Sequence, residues 1–162
     1  MPIQLDHEPC LCVRLIMLGE DTTMTEAKVL FASEAWIKHF HAEVNQSDAY
    51  RQAAKTWEGD FYFVVEPQGS LTKPVYMYMD LWHGESREAF IAQDPTAKNP
   101  EFVISAPVST WKDVIELRLD PMKGLLTRQL KLKGNMAKIM RAVKAANELV
   151  RCTTRIPTEF PN

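Results

Sequence analysis

The sequence predicts one mixed α/β domain, and three observations carry that expectation. Two runs rich in aromatic and β-branched residues, Asp60 to Pro67 and Val75 to Trp82, flank Gln68-Gly69-Ser70 like the strands of a hairpin. Several other stretches repeat apolar residues at spacings near three, four and seven, as amphipathic helices do. Between Leu119 and Met136 a short helix, an alternating strand and the start of a long amphipathic helix follow within eighteen residues. The chain has 162 residues, 46% hydrophobic and 25% charged, enough for a single core that buries roughly 70% of the unfolded surface.

The elements read as follows. Met1 to Asp21 holds a short apolar stretch, Leu11 to Leu18, that suits an extra strand or an extended arm. Thr23-Met24-Thr25-Glu26 reads as a capping box opening a long helix that carries Val29, Leu30, Trp36, Ile37, Phe40 and Val44. Ser47 is suited to cap a second helix through Trp57, and Glu58-Gly59-Asp60 ends the helical opening. In the hairpin, Phe61, Phe63 and Val65 share one face, while Val75, Met77, Met79 and Leu81 share one face of the return strand. His83-Gly84 signals a turn. Arg87 to Gln93 suits a strand or a helix, Asp94 to Pro100 is a loop, and Phe102 to Ala106 is a strand. Ser109 then opens a helix with Trp111, Val114, Ile115 and Leu117. Asp120 is a good N-cap with Pro121 at the first helical position, putting Met122, Leu125 and Leu126 on one face. Gln129 to Lys133 alternates, with Leu130 and Leu132 on one side, and Gly134-Asn135 turns into the last helix. That helix carries Met136, Ile139, Met140, Val143, Ala146 and Val150 on one side and Lys138, Arg141, Lys144 and Arg151 towards the other.

The string Asp-Pro-Met…Leu-Lys-Leu-Lys-Gly-Asn-Met from Asp120 to Met136 closely resembles the C-terminal half of the sterol carrier protein 2 (SCP2) family. Gly59 to Val65 resembles the family's first strand, and Met79 to Gly84 the end of its second. The resemblance runs from Thr23 to about Arg151, leaving residues 1–22 as an N-terminal arm and 152–162 as a tail. It implies a five-stranded, mainly antiparallel sheet with a crossover, covered by helices on one face, and decides for a strand at Arg87 to Gln93. Arg128 stands where the family usually has glycine, which puts the bend that glycine permits in doubt.

The family implies carriage without catalysis: a fatty acid, acyl-CoA, phospholipid or sterol held in an apolar tunnel between sheet and helices. Met and aromatic side chains adapt to irregular apolar ligands. Trp36, Phe40, Phe63, Met77, Met79, Met122, Leu125, Leu126, Met136 and Met140 are the expected lining, although stripes of this kind also fill ordinary cores. An apolar tunnel discriminates weakly between similar shapes, so the family name does not fix a sterol. Residues 112–162 carry eleven basic and five acidic side chains against eight and sixteen before them. The basic side of the last helix, Lys138, Arg141 and Lys144, is therefore the candidate contact with an anionic membrane or head group. The alternative role is an accessory module that presents an apolar substrate to a partner enzyme or forms a homodimer.

Other classes find less support. No apolar run approaches the roughly 20 residues of a membrane span, and Met1 to Met17 does not read as a signal peptide. Three cysteines, Cys10, Cys12 and Cys152, make no disulfide framework, so the expectation is a soluble, cytoplasmic protein. The chain ends Thr-Glu-Phe-Pro-Asn, unlike a Ser-Lys-Leu peroxisomal address. Asp80, His83 and Glu85 offer an acid and a base, but no nucleophile motif or phosphate loop accompanies them. His39 and His41 diverge by about 200° on a helix, and His7, Cys10 and Cys12 lack a second ligand pair. No metal, cofactor or nucleic-acid partner is expected.

Overall fold

Residues 27–162 are described in a computed structural model. The N-terminal arm and the Thr23 to Glu26 capping motif lie outside them. Val29 and Leu30, expected in the first helix, instead form a short strand, β1 (Val29–Leu30), parallel to Thr158–Glu159. The Val29 amide donates to the Pro157 carbonyl at 2.7 Å and the Phe31 amide to that of Glu159 at 2.8 Å. Helix α1 (Glu34–Gln46) starts only after Ala32 turns the chain at φ 61°, and it is capped by Ser33, whose Oγ accepts from the Trp36 amide. It buries Trp36, Ile37, Phe40 and Val44, the expected stripe. Ser47 caps α2 (Asp48–Ala53) as expected, but the helix stops short of Trp57.

Strand β2 (Glu58–Glu66) includes Glu58, Gly59 and Asp60, because these pair with Trp82, Leu81 and Asp80 of β3 (Val75–Trp82). The turn at His83 and Gly84 packs so tightly on α2 that a Cβ on Gly84 would fall 2.6 Å from Arg51 Cα, and only glycine fits its φ of 84°. Strand β4 (Glu85–Ala92) pairs antiparallel with β3, which settles the strand over the helix. After a crossover, β5 (Phe102–Pro107) runs parallel to β2.

Helix α3 (Val108–Ile115) follows directly with Pro107 at its cap position and no side-chain cap. Ser109 is therefore not the cap; its amide is held by Gln68 Oε1 at 2.8 Å. Leu117 falls beyond this helix, exposed and left-handed. Helix α4 (Pro121–Leu126) is capped by Asp120 as expected, its Oδ1 accepting from the Lys123 amide at 3.0 Å. Met122 and Leu125 are buried, whereas Leu126 is 64% exposed, since one residue is a 100° step around so short a helix. Arg128 adopts φ 61°, so the bend survives without glycine.

Strand β6 (Lys131–Lys133) pairs antiparallel with β5, giving the sheet order β4-β3-β2-β5-β6. The long final helix is in fact two, α5 (Met136–Arg141) and α6 (Val143–Thr154), broken at Ala142 where ψ swings to 28°. Residues 152–162, expected as a tail, complete α6 and add β7 (Thr158–Glu159), the partner of β1. All six helices lie over one sheet face: Phe61, Phe63, Met77, Met79, Leu81, Phe102 and Ile104 join the helical core there. Tyr62, Val64, Tyr78 and Ala92 form a separate cluster on the other face.

Candidate functional site

Between the sheet and the helices lie two adjacent apolar cavities, of about 90 and 60 Å³. β-Alternation aims Phe61, Phe63, Leu81 and Ile104 upward into the first cavity. Its roof comes from Trp111 and Val114 of α3, Met122 and Leu125 of α4, Ile139 of α5, and Ala142, Ala145, Ala146 and Leu149 around and along α6. Small alanines on α6 leave the space that larger side chains would fill. The second cavity lies between Phe31, Trp36 and Phe40 at one end and Phe63, Trp111 and Val150 at the other, with Met77 in its floor.

The interior carries no formal charge. Tyr50 reaches the first cavity with its phenol pushed well above its ordinary pKa, chiefly by burial and next by the nearby Cys152. Burial likewise raises the Cys152 thiol, against the opposing effects of a Ser47 hydrogen bond and the Arg155 charge. Both groups therefore stay neutral near pH 7. Trp111 is the fixed polar anchor, its Nε1–H donating to the Val64 carbonyl at 3.0 Å.

The ten side chains expected in the lining divide three ways. Phe63, Met122 and Leu125 border the first cavity, and Trp36, Phe40, Phe63 and Met77 the second. Met79 is fully buried in the packed core and Met136 packs against that core, neither bordering a cavity. Leu126 and Met140 face solvent. Tyr50, Trp57, Phe61, Leu81, Ile104 and Trp111 line cavities unannounced by that expectation. Phe61 shares the alternation of Phe63, and that signal was enough to find it.

Lys138 is not free to meet a head group. Its Nζ binds the Glu58 carbonyl at 2.6 Å and Glu101 Oε2 at 2.8 Å, and it lies 5.2 Å from the Trp57 ring centre. Arg141 and Lys144 are exposed and make no ion pair among the described residues. The acid and base at the hairpin end are occupied structurally: His83 binds Glu58 at 2.7 Å and Asp80 pairs with Arg87 at 2.8 Å. One serine–histidine contact has no local sequence signal, Ser86 Oγ to His41 Nδ1 at 2.7 Å, with Asn45 bonded to the Ser86 backbone N–H and carbonyl. Ser86 is buried and borders neither cavity, and the cluster ties β4 to α1. Among the described residues no His, Cys, Asp and Glu group is placed to hold a metal, and no helix is long and apolar enough to cross a membrane.

A one-sided helical roof over a mixed sheet, enclosing an uncharged apolar interior, defines a binding domain for apolar molecules. The sequence model of the SCP-2 sterol transfer family matches residues 37–147, and the chain belongs to that family of lipid-binding domains. A crystal structure of sterol carrier protein 2 is 35% identical, with 78% of this chain and 98% of that one aligned at a TM-score of 0.70. The solution structure of a conserved hypothetical protein from Thermus thermophilus, described as a candidate sterol carrier, is 36% identical over 78% of this chain and 90% of its own, at 0.71. Sterol carrier protein 2 from Yarrowia lipolytica, at 15% identity and 0.51 over 73% and 88% of the two chains, shares the fold alone. No curated protein sequence matches the chain. Strands β1 and β7 both fall outside the matched residues.

Proposed function

We propose that this chain is a non-catalytic carrier that takes the hydrocarbon part of a lipid into its first cavity and exchanges it at an anionic membrane. The observation that supports it best is the uncharged interior beneath a helical roof that is broken at Ala142. At about 90 Å³ the cavity is below the roughly 300 Å³ of an ordinary ligand site. A lipid therefore enters by lifting the α5–α6 hinge. Burial drives uptake, with each buried methylene contributing roughly 0.8 kcal/mol before ordering costs.

The charge of the segment that includes that hinge supports the membrane part. Residues 121–147 contain seven basic side chains and no acidic one. Of these, Lys123, Arg128, Arg141 and Lys144 are exposed on or beside α4 to α6, and the apolar Leu126 and Met140 are exposed on α4 and α5. Exposed apolar side chains on a basic, acid-free segment suit an interface of anionic head groups over acyl chains.

Native mass spectrometry of the purified protein, with solvent extraction of bound lipid, tests binding; transfer from labelled donor to acceptor vesicles tests exchange. The carrier reading expects a stoichiometric adduct and faster transfer to phosphatidylglycerol than to neutral vesicles. The small cavity volumes favour one second reading, a filled-core module that presents a substrate to a partner enzyme or dimerises. A clean mass after incubation with fatty acid, acyl-CoA, phospholipid and sterol, together with a co-purifying protein or a dimer, would establish it.

A further inference from the structure

The two cavities are separated by side chains that border both: Phe63 from β2, Trp111 and Val114 from α3, and Leu149 and Val150 from α6. Phe63 and Trp111 meet edge to face, with ring centres 6.0 Å apart and planes at 86°. Trp111 is pinned by its buried hydrogen bond to Val64, the residue after Phe63. Phe63 is held from the other side by parallel stacking on Phe61, at 5.2 Å and 6°. The far end of the second cavity is bordered by Phe31 and Trp36. Phe160 packs on Phe31 at 5.2 Å, and the Trp36 indole donates to Thr158 Oγ1 at 3.0 Å.

We infer that Phe63 and Trp111 form an internal stop that fixes how long an unbranched hydrocarbon chain this protein accepts. The inference rests on the carrier reading above. A chain entering beneath the α5–α6 hinge gains contacts until its end reaches the stop. Further methylenes then stay outside or force apart two rings that are each anchored to the sheet. If the stop is removed, the second cavity, of about 60 Å³, becomes an extension of the first, so the permitted length grows by a finite amount. Rings that stack with their neighbours are poor at yielding, whereas the methionine positions elsewhere in the lining, Met77 and Met122, are pliant.

The test measures dissociation constants of the full chain for saturated fatty acids from octanoate to eicosanoate, in wild type and in Phe63→Ala. Affinity in both should rise about fourfold per added methylene while the chain end remains buried. Wild type should level off first, and Phe63→Ala should continue to rise over a few further methylenes before its own plateau. Adding Ile115→Phe, at a position that borders the second cavity and not the first, should return the variant to the wild-type plateau. Phe63→Leu provides the same readout if the alanine variant fails to fold. Identical plateaus in wild type and a folded Phe63 variant would overturn the stop while leaving the carrier reading intact. Absence of binding by wild type and variants to every acid would overturn both.

Discussion

Two adjacent leucines on α4 separate what holds the fold from what meets a membrane. Leu125 is 4% exposed and borders the first cavity, while Leu126 is 64% exposed. Leu125→Ala removes buried methyl groups and enlarges a space that is already imperfectly filled, so it should lower the unfolding free energy by about 3 kcal/mol. For a chain of this size that corresponds to a melting temperature lower by roughly 6–12 °C. Leu126→Ala deletes no packed contact and should stay within about 0.5 kcal/mol of wild type. Its effect belongs to the vesicle surface, where insertion of a mostly exposed leucine contributes about 1 kcal/mol, or roughly fivefold in binding. Urea unfolding followed by circular dichroism reads the first quantity, and co-sedimentation with phosphatidylglycerol vesicles the second. Equal destabilisation by the two substitutions would refute the burial argument. Unchanged sedimentation of Leu126→Ala would refute a membrane contact at Leu126.

Three further outcomes are expected. Asp120→Ala should lose about 1 kcal/mol through the unsatisfied Lys123 amide, and Asp120→Ser should recover most of it, both measured by urea midpoint. Arg128→Val should cost about 1 kcal/mol, because a β-branched side chain tolerates the φ of 61° worse than arginine does, whereas Arg128→Gly should fold at least as stably as wild type. Stability should also fall as pH rises through 9.0, the ordinary thiol value, since the unfolded chain releases the Cys152 proton there and the folded chain retains it. Cys152→Ala should flatten that part of the stability profile, measured by thermal melts between about pH 8 and 10.

The parts legible in the sequence are those where local pattern and tertiary demand agree. The Phe61–Val65 and Val75–Leu81 alternation gives the facing pairs of the hairpin because one side of each strand is buried under helices. Asp120 and Ser47 are caps that need only their own next turn. What failed depends on distant partners. Val29 and Leu30 are apolar at helical spacing, yet a strand contributed by Thr158 and Glu159 holds them extended, and no local signal announces a partner so far along the chain. The break at Ala142 carries no proline or glycine, and the α6 alanines fit a continuous helix equally well. Likewise, Lys138 has the appearance of a surface cation until Glu101 and the Glu58 carbonyl arrive from the β5 end of the sheet and from β2. For the cavities, periodicity identifies the buried face of each element but not where packing leaves a gap. Hence Met79 and Phe63, on the same face of the sheet, separate into filled core and cavity wall.

The placement of the indoles makes the protein its own optical reporter. Of four tryptophans, Trp57 and Trp111 border the first cavity, and Trp36 and Trp111 the second. Only Trp82 stands outside, 38% exposed and stacked on His83. In a Trp82→Phe background every remaining emitter touches the space a ligand would enter, so occupancy can be followed by ultraviolet emission with no attached dye. The three indoles also mark depth, since filling the first cavity alone leaves Trp36 dark to the event, while a chain passing the aromatic partition brings it into the signal.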